Sequence, residues 1–229
     1  MEKKMHIRVT KNGPYLVFGN VPLDGAKIVP DGEDYLLAWK ETGKIEGKET
    51  YALCRCGKTK TPPFCDHSHT LSGFDGTETA DDVPFKHKAE KVAGSDLTLL
   101  DAEEFCASAH FCTRAGGTWD LVENSDGDPE KNESARKEVA CCPSGRLVLL
   151  DKKTGKEIEP EFDPSITLIE DPITGTSGPI WVKGVIPIES ADGKIYELRN
   201  RVTLCRCGKS KNMPFCDSTH VAVKFKIKK

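Results

Sequence analysis

A pattern of three cysteines and one histidine occurs twice in this chain and restricts its fold more than any other feature. The two copies occupy residues 54–69 and 205–220, and both read C-R-C-G-K-[ST]-K-x-x-P-F-C-D-x-x-H. In each copy one residue separates the first two cysteines, the third cysteine lies nine positions after the second, and the histidine lies four positions after the third. Each copy therefore offers four soft or borderline metal ligands at fixed spacing, which suits a 2Fe-2S cluster or zinc.

Eight residues are the ligand candidates of the two motifs: Cys54, Cys56, Cys65, His69, Cys205, Cys207, Cys216 and His220. We expect Cys54 and Cys56 to hold one metal and Cys65 with His69 the other. His67 lies close to His69, but Ser218 stands at the same place in the second copy. We therefore expect His67 to be an exposed loop residue and not a ligand.

The motif resembles that of the CDGSH iron-sulfur family, C-x-C-x2-[ST]-x3-P-x-C-D-x2-H, and both copies match it at every defined position. The family's glycine after the aspartate is replaced by His67 and by Ser218. The resemblance implies one 2Fe-2S cluster per motif, held by three cysteines and one histidine. It also implies a β-rich fold in which two motifs pair about a two-fold axis, here within one polypeptide.

A second repeat, G-P-x-x-V-x-G-x-x-P, precedes each motif, at residues 13–22 and 178–187. Its alternating apolar residues and its Gly and Pro punctuation predict strands. The segments 195–199 and 201–204 predict further strands that lead into the second motif, and 222–227 is expected to be extended. A duplicated β-rich module is the economical explanation.

Four cysteines lie between the motifs, and three of them, Cys106, Cys112 and Cys142, resemble those of a divergent single-cluster ferredoxin-like domain. The middle cysteine of such a run is missing, because Ala109 occupies its position. Three cysteines favour a 3Fe-4S cluster. A 4Fe-4S cluster is the alternative if His110 or Cys141 supplies a fourth ligand.

The region between the motifs also predicts its own secondary structure. Asp101 is a candidate N-cap for a helix that would carry Phe105 and Cys106. A second helix is expected from Pro129 or Glu133 to Cys142, followed by a hairpin within 146–158. The prediction is an α+β protein with two β-rich CDGSH modules, residues 1–91 and 171–229. These modules form an intrachain pseudo-dimer, with a small ferredoxin-like α+β lobe, residues 92–170, inserted between them.

Charge is unevenly distributed along the chain. Residues 96–170 carry 17 acidic and 8 basic side chains, whereas residues 194–229 carry 10 basic and 2 acidic ones. The basic end predicts an acidic protein as redox or cluster-acceptor partner, and the lack of interleaved aromatic residues disfavours nucleic acid. No run has the length of a membrane span and no signal peptide is visible, so we expect a cytoplasmic protein without membrane contact. Because both motifs lie in one chain, we expect a monomer with pseudo-two-fold symmetry.

These features together predict an iron-sulfur protein that acts in one-electron transfer, in cluster storage and transfer, or in both. No catalytic pair and no nucleotide-binding loop is visible, so an enzyme is not expected. The alternative is a structural zinc module that binds a partner or nucleic acid through its basic end.

Overall fold

The computed structural model describes residues 4–31, 36–114 and 116–227, which form a mixed α+β fold made mostly of sheets. The strands are β1 His6–Val9, β2 Tyr15–Phe18, β3 Leu23–Asp31, β4 Leu36–Ile45, β5 Thr50–Leu53, β6 Glu90–Ala93, β7 Leu97–Asp101, β8 Leu147–Asp151, β9 Glu157–Ile158, β10 Ser165–Asp171, β11 Thr176–Lys183, β12 Ile188–Glu189 and β13 Arg201–Leu204. The α-helices are α1 Phe85–Lys88, α2 Thr118–Glu123, α3 Pro129–Ala140 and α4 Thr219–Ala222. Short 3-10 helices span Ser68–Thr70, Glu103–Phe105 and Phe111–Thr113.

The sequence repeat is also a structural repeat. In the first copy β2 pairs antiparallel with β5, with Tyr15 opposite Leu53. In the second copy β11 pairs antiparallel with β13, with Ile180 opposite Leu204. Because Tyr15 and Ile180 occupy the same position of the repeated segment, the two strand pairs have the same register, and each leads directly into its cysteine motif.

The two copies exchange strands reciprocally. Strand β3 of the first copy pairs parallel with β10, with Leu23 opposite Ile166. Strand β12 of the second copy pairs parallel with β1, with Ile188 opposite Ile7. The result is one four-stranded sheet, in the order β12-β1-β2-β5, and one five-stranded sheet, in the order β13-β11-β10-β3-β4. Each sheet therefore contains strands from both ends of the chain.

These two sheets enclose one hydrophobic core. Tyr15 and Val17 of the first copy pack in the same buried cluster as Ile180, Val182 and Leu204 of the second. Burial of such side chains contributes about 1.5–3 kcal/mol each. Because the core draws on both copies, neither half retains its full set of apolar contacts without the other.

A third sheet, in the order β6-β7-β8-β9, forms a smaller lobe with α2 and α3. Its core is built from apolar side chains of β7, β8 and the two helices, among them Leu99, Val122, Val139 and Leu147. Asp128 caps α3, since its side chain accepts a hydrogen bond from the backbone N–H of Glu130. No helix among the described residues has the length and apolarity needed to cross a membrane.

Several secondary-structure predictions are confirmed and several are wrong. Helix α3 begins at Pro129, and β8 with β9 forms the expected hairpin. Asp101 does not cap a helix: it ends β7, and its carboxylate accepts hydrogen bonds from Arg146 and Trp119. The segment 195–199 makes only an isolated bridge at Ile195, and 222–227 contains the end of α4 followed by a turn.

Candidate metal centres

Each cysteine motif is a loop held by its own backbone and side-chain hydrogen bonds. The N–H of Cys54 donates to the carbonyl of Pro63 at 2.9 Å, and the hydroxyl of Thr59 donates to the carbonyl of Phe64 at 2.7 Å. The second motif repeats these contacts, from Cys205 to Pro214 at 2.8 Å and from Ser210 to Phe215 at 2.6 Å. The repeated Thr or Ser and the repeated Pro therefore shape the loop.

Asp66 and Asp217 close the loops. One carboxylate oxygen of Asp66 accepts the N–H of Lys60 at 2.8 Å, and the other accepts the N–H of Ser68 at 2.9 Å. The carboxylate of Asp217 makes the same two bonds in the second motif, at 2.7 and 3.0 Å. Each carboxylate thus joins the middle of its loop to the helical turn that carries the histidine, and these bonds lower the pKa of Asp66.

The four candidate ligands of each motif lie in two close pairs. The sulfur atoms of Cys54 and Cys56 are 3.7 Å apart, and Sγ of Cys65 lies 3.4 Å from Nδ1 of His69. Two thiolates on one tetrahedral metal are separated by about 3.8 Å, and a thiolate and an imidazole nitrogen by about 3.6 Å. Each pair therefore fits one metal, with Nδ1 as the histidine donor atom.

The second motif has the same geometry. Cys205 and Cys207 place their sulfur atoms 3.7 Å apart, and Sγ of Cys216 lies 3.5 Å from Nδ1 of His220. Across the described ranges, no three or more His, Cys, Asp or Glu side chains converge on a single ion-sized centre. The donor sets consist of pairs.

The environment of the first thiol in each motif favours its thiolate form. The hydrogen bond from Cys56 lowers the pKa of Cys54 to about 6, and backbone N–H groups of residues 57–59 contribute in the same direction. The same pattern, with Cys207 as donor, lowers the pKa of Cys205 to about 7. Donation to the first thiol raises the pKa of Cys56 and of Cys207, and burial raises that of Cys65 and of Cys216. One thiol per motif is therefore favoured as the thiolate that binds metal.

The two motifs differ in exposure. His220 and Cys216 are each only 4% exposed, whereas His69 and Cys65 are half-buried. Burial also lowers the pKa of His220 and of His69, which favours the neutral imidazole that binds metal. His67 is exposed, as expected. The second motif is therefore an internal site, and the first is open to solvent on its histidine side.

The two motifs touch each other at their glycines. A Cβ on Gly57 would lie 2.8 Å from the carbonyl oxygen of Cys207, and one on Gly208 would lie 2.6 Å from the carbonyl oxygen of Cys56. Tyr15 adds a second link, because its hydroxyl donates to the carbonyls of Cys205 at 2.9 Å and Pro214 at 3.0 Å. The two candidate centres are thus neighbours.

Three of the four remaining cysteines line one cavity. The cavity measures about 160 Å³, and Cys106, Cys112 and Cys142 all lie in its wall, together with Ala109 and His110. Burial, followed by the charges of Cys142 and Cys106, raises the pKa of Cys112 to about 11. The structure therefore brings together the three cysteines that the sequence singles out.

Cys141 lies apart from this cavity. It packs in a different apolar cluster with Trp39 and Phe111, and the indole N–H of Trp39 donates to its backbone carbonyl at 3.2 Å. Burial raises the pKa of the Cys141 thiol. Cys141 is therefore half-buried and packs against an apolar cluster outside the wall of the cavity.

The central cavity adjoins the second motif. The hydroxyl of Ser218 donates to the carbonyl of Cys106 at 2.6 Å, and the rings of Phe105 and Phe215 meet edge to face at 5.6 Å. These contacts join residues next to Cys106 with residues next to Cys216. The second motif therefore packs directly against the central lobe.

Sequence reasoning missed three residues that support these centres. Arg55 is buried and donates to the carbonyls of Gly13 and Gly76, both at 2.9 Å. Arg206, at the same motif position, is 6% exposed and pairs with Glu170 at 2.8 Å. Tyr15 is the third. The arginines were visible as repeated residues, but only the structure shows what they bind.

Comparison with protein families agrees with this arrangement. The family described as "Iron-binding zinc finger CDGSH type" matches residues 12–70 and 177–221. The family described as "Divergent 4Fe-4S mono-cluster" matches residues 92–152. No curated protein and no solved structure matches the chain.

The fold, the paired ligands and these matches define an iron-sulfur protein built on a duplicated CDGSH motif. More particularly, the chain is a tandem CDGSH protein with a divergent mono-cluster region of the 4Fe-4S type between its two CDGSH regions.

Proposed function

We propose that this protein is a one-electron carrier with a 2Fe-2S cluster in each CDGSH motif and a 3Fe-4S cluster at Cys106, Cys112 and Cys142. The observation that carries the proposal is the contiguity of the three cysteine sites. The first motif meets the second at Gly57 and Gly208, and the second meets the central site through Ser218. Redox centres that lie in series suit electron transfer within one chain.

The pairing of ligands supports two irons per CDGSH motif. Cys54 with Cys56 and Cys65 with His69 each have the separation that one tetrahedral metal requires. A bridged binuclear cluster uses two such pairs, whereas a structural zinc ion gathers all four ligands around one centre. The chain's own residues hold and orient the cluster, and the cluster supplies the one-electron redox chemistry.

The cavity composition supports three cysteine ligands at the central site. Ala109 lies in the cavity wall where a further cysteine would stand, and it has no donor atom. Cys141 faces another apolar cluster. His110 also lines the cavity, so ligation by His110 is the arrangement that would convert the site to 4Fe-4S.

The exposure of the first motif favours cluster transfer as a second activity. Cys65 and His69 are half-buried, whereas the corresponding Cys216 and His220 are almost fully buried. A cluster on the first motif is therefore the one accessible to an acceptor protein. Incubation with an apo-ferredoxin, followed by its visible spectrum, tests this activity.

We further propose that the chain acts as a cytoplasmic monomer with pseudo-two-fold symmetry and is not itself an enzyme. All ten cysteines are free, which suits a reducing compartment. The reciprocal pairing of β3 with β10 and of β12 with β1 within one chain supports the pseudo-two-fold arrangement.

Metal analysis combined with EPR tests the proposal. Anaerobically purified protein should contain about seven iron and about eight acid-labile sulfide per chain. As isolated, it should show the signal of an oxidised 3Fe-4S centre, while the oxidised 2Fe-2S centres are silent. After partial reduction, the reduced cluster of the second motif should show faster electron-spin relaxation, because the paramagnetic cluster of the central site lies nearby. Colourless protein with stoichiometric zinc and no sulfide would overturn the proposal.

A further inference from the structure

A groove lined by lysines lies at the junction of the two CDGSH motifs. It measures about 640 Å³ and is formed by residues 57–60 of the first motif, Cys207 and Lys209 of the second, and residues 223–227 of the C-terminal segment. We call it the lysine groove. Its five lysines are Lys58, Lys60, Lys209, Lys224 and Lys226, and no acidic residue lines it.

None of the five groove lysines forms an ion pair in the part of the chain that the structure describes. All five lysines are exposed, and the ion pairs found in that part of the chain involve other residues. Lys58 and Lys209 occupy the same position of the repeated motif, so the duplication itself brings them to the two sides of the junction. A concentration of one charge sign at one place attracts and orients partners of the opposite sign.

The groove also has an apolar strip, formed by Val223, Phe225 and Ile227. Hydrogen bonds hold this strip in place. The N–H of Phe225 donates to the carbonyl of His220 at 2.8 Å, and the N–H of Ser177 donates to the carbonyl of Phe225, also at 2.8 Å. A fixed apolar strip with a charged rim has the composition of a protein interface.

The groove runs alongside a candidate iron ligand. Cys207 lies in its wall, and the ring of Phe225 covers Gly57, whose added Cβ would lie 2.9 Å from it. A molecule seated in the groove is therefore adjacent to the junction between the first and second motifs. An electron from such a molecule would have a short path to either centre.

We propose that the lysine groove is the docking surface for an acidic redox protein. A small anion fits less well, because the groove contains no arginine and the Thr59 hydroxyl is already bonded to Phe64. The docking surface presupposes the electron-carrier function proposed above. In the step it serves, the reduced partner loses one electron and the iron-sulfur centre gains it, with no bond made or broken.

A matched pair of double variants tests this surface. The groove variant carries Lys224→Glu and Lys226→Glu, the two groove lysines that lie outside the cysteine motifs. The control carries Lys27→Glu and Lys48→Glu, which are exposed lysines outside the groove. Both variants change the net charge equally. Binding of an acidic plant-type 2Fe-2S ferredoxin is measured by calorimetry, and electron transfer from the reduced ferredoxin by stopped flow over a range of ionic strengths.

The groove variant should bind the ferredoxin at least about tenfold more weakly, while the control changes by less than about twofold. Reduction by dithionite and iron content should match the wild type in both. Equal weakening in the two variants would overturn the docking surface, as would saturable competition by pyrophosphate or tighter binding of a single-stranded RNA oligonucleotide at the groove. Protein without iron or sulfide would instead refute the electron-carrier function, and the calorimetry would still report on the groove.

Discussion

Gly57 and Gly208 meet across the junction of the two CDGSH motifs, each against the backbone of the other motif. A Cβ on either residue would approach a cysteine carbonyl oxygen of the opposite loop to 2.8 or 2.6 Å. Both residues have positive φ, 71° and 73°. Glycine is therefore required twice over at each position, by the left-handed backbone and by the close approach of the loops.

Replacing Gly57 with alanine should destabilise the protein more than its backbone conformation alone explains. Gly175 is a matched control, because it has the same φ of 71° and no atom within 4 Å of an added Cβ. Gly175→Ala should cost about 1–2 kcal/mol for the left-handed conformation. Gly57→Ala should cost more, since the loops must separate. Thermal unfolding followed by circular dichroism, with iron content, measures both, and equal losses would contradict the close approach.

The ligand pairs were predictable from the sequence, whereas the arrangement of the centres was not. Cys54 with Cys56 and Cys65 with His69 lie within single loops, so local spacing determines that they are close. The contact between Ser218 and Cys106 joins residues 112 positions apart. Local patterns carry no information on such pairings, and the reciprocal strand exchange was invisible for the same reason.

Removing the hydroxyl of Ser218 should weaken the attachment of the central lobe. Ser218→Ala loses the 2.6 Å bond to the carbonyl of Cys106, at a cost of about 1 kcal/mol. His67→Ala is the matched control, because His67 occupies the same motif position with similar φ, 66° against 69°, and is exposed. Thermal unfolding should shift only for Ser218→Ala, together with the EPR line shape of the central site. An unchanged thermal midpoint and an unchanged EPR line shape in Ser218→Ala would contradict the packing interface.

The first motif should lose its iron to a chelator before the second. His69 and Cys65 are half-buried, whereas His220 and Cys216 are each 4% exposed. Two variants separate the sites: Cys216→Ser leaves the open site intact, and Cys65→Ser leaves the buried one. Iron release to a coloured chelator should be several-fold faster from the first motif, in Cys216→Ser, than from the second motif, in Cys65→Ser. The reverse order would show that the burial difference does not govern access.

The wrong prediction for Asp101 has an electrostatic cause. An acidic residue before a polar stretch is a frequent N-cap, but Asp101 pairs with Arg146, the residue just before the neighbouring strand β8, with one contact at 2.8 Å. Arg146 also lines the central cavity, and the Asp101 carboxylate, with the Cys106 thiol, raises the pKa of its guanidinium. A partner 45 residues away thus prevailed over a local cap, leaving a single 3-10 turn before Cys106.

The adjacent Cys141 and Cys142 should respond differently to substitution. Cys142→Ser should abolish the 3Fe-4S signal and leave about four iron per chain, because Cys142 lines the central cavity. Cys141→Ser should retain the signal and about seven iron, because Cys141 packs in another cluster. EPR of the protein as isolated and iron analysis distinguish the two. Loss of the signal in Cys141→Ser at unchanged thermal stability would make Cys141 a ligand.

Glu138 should make the stability of the central lobe depend on pH. It is 3% exposed, its carboxylate accepts a 2.6 Å hydrogen bond from Thr118, and burial raises its pKa above the ordinary glutamate value. The folded protein therefore retains a proton that the unfolded chain loses. Its contribution to the free energy of unfolding is greatest below the ordinary pKa of glutamate and decreases as pH rises through the raised value.

Glu138→Gln removes this titration, so its stability relative to the wild type should increase as pH rises from about 4.5. Glu133→Gln is the matched control on the same helix, since Glu133 is exposed and pairs only weakly with Lys137 at 3.5 Å. Thermal midpoints of the three proteins over a pH series measure the difference. A pH-independent difference between Glu138→Gln and the wild type would mean that Glu138 has the same pKa in the folded and the unfolded protein, and that burial does not shift it.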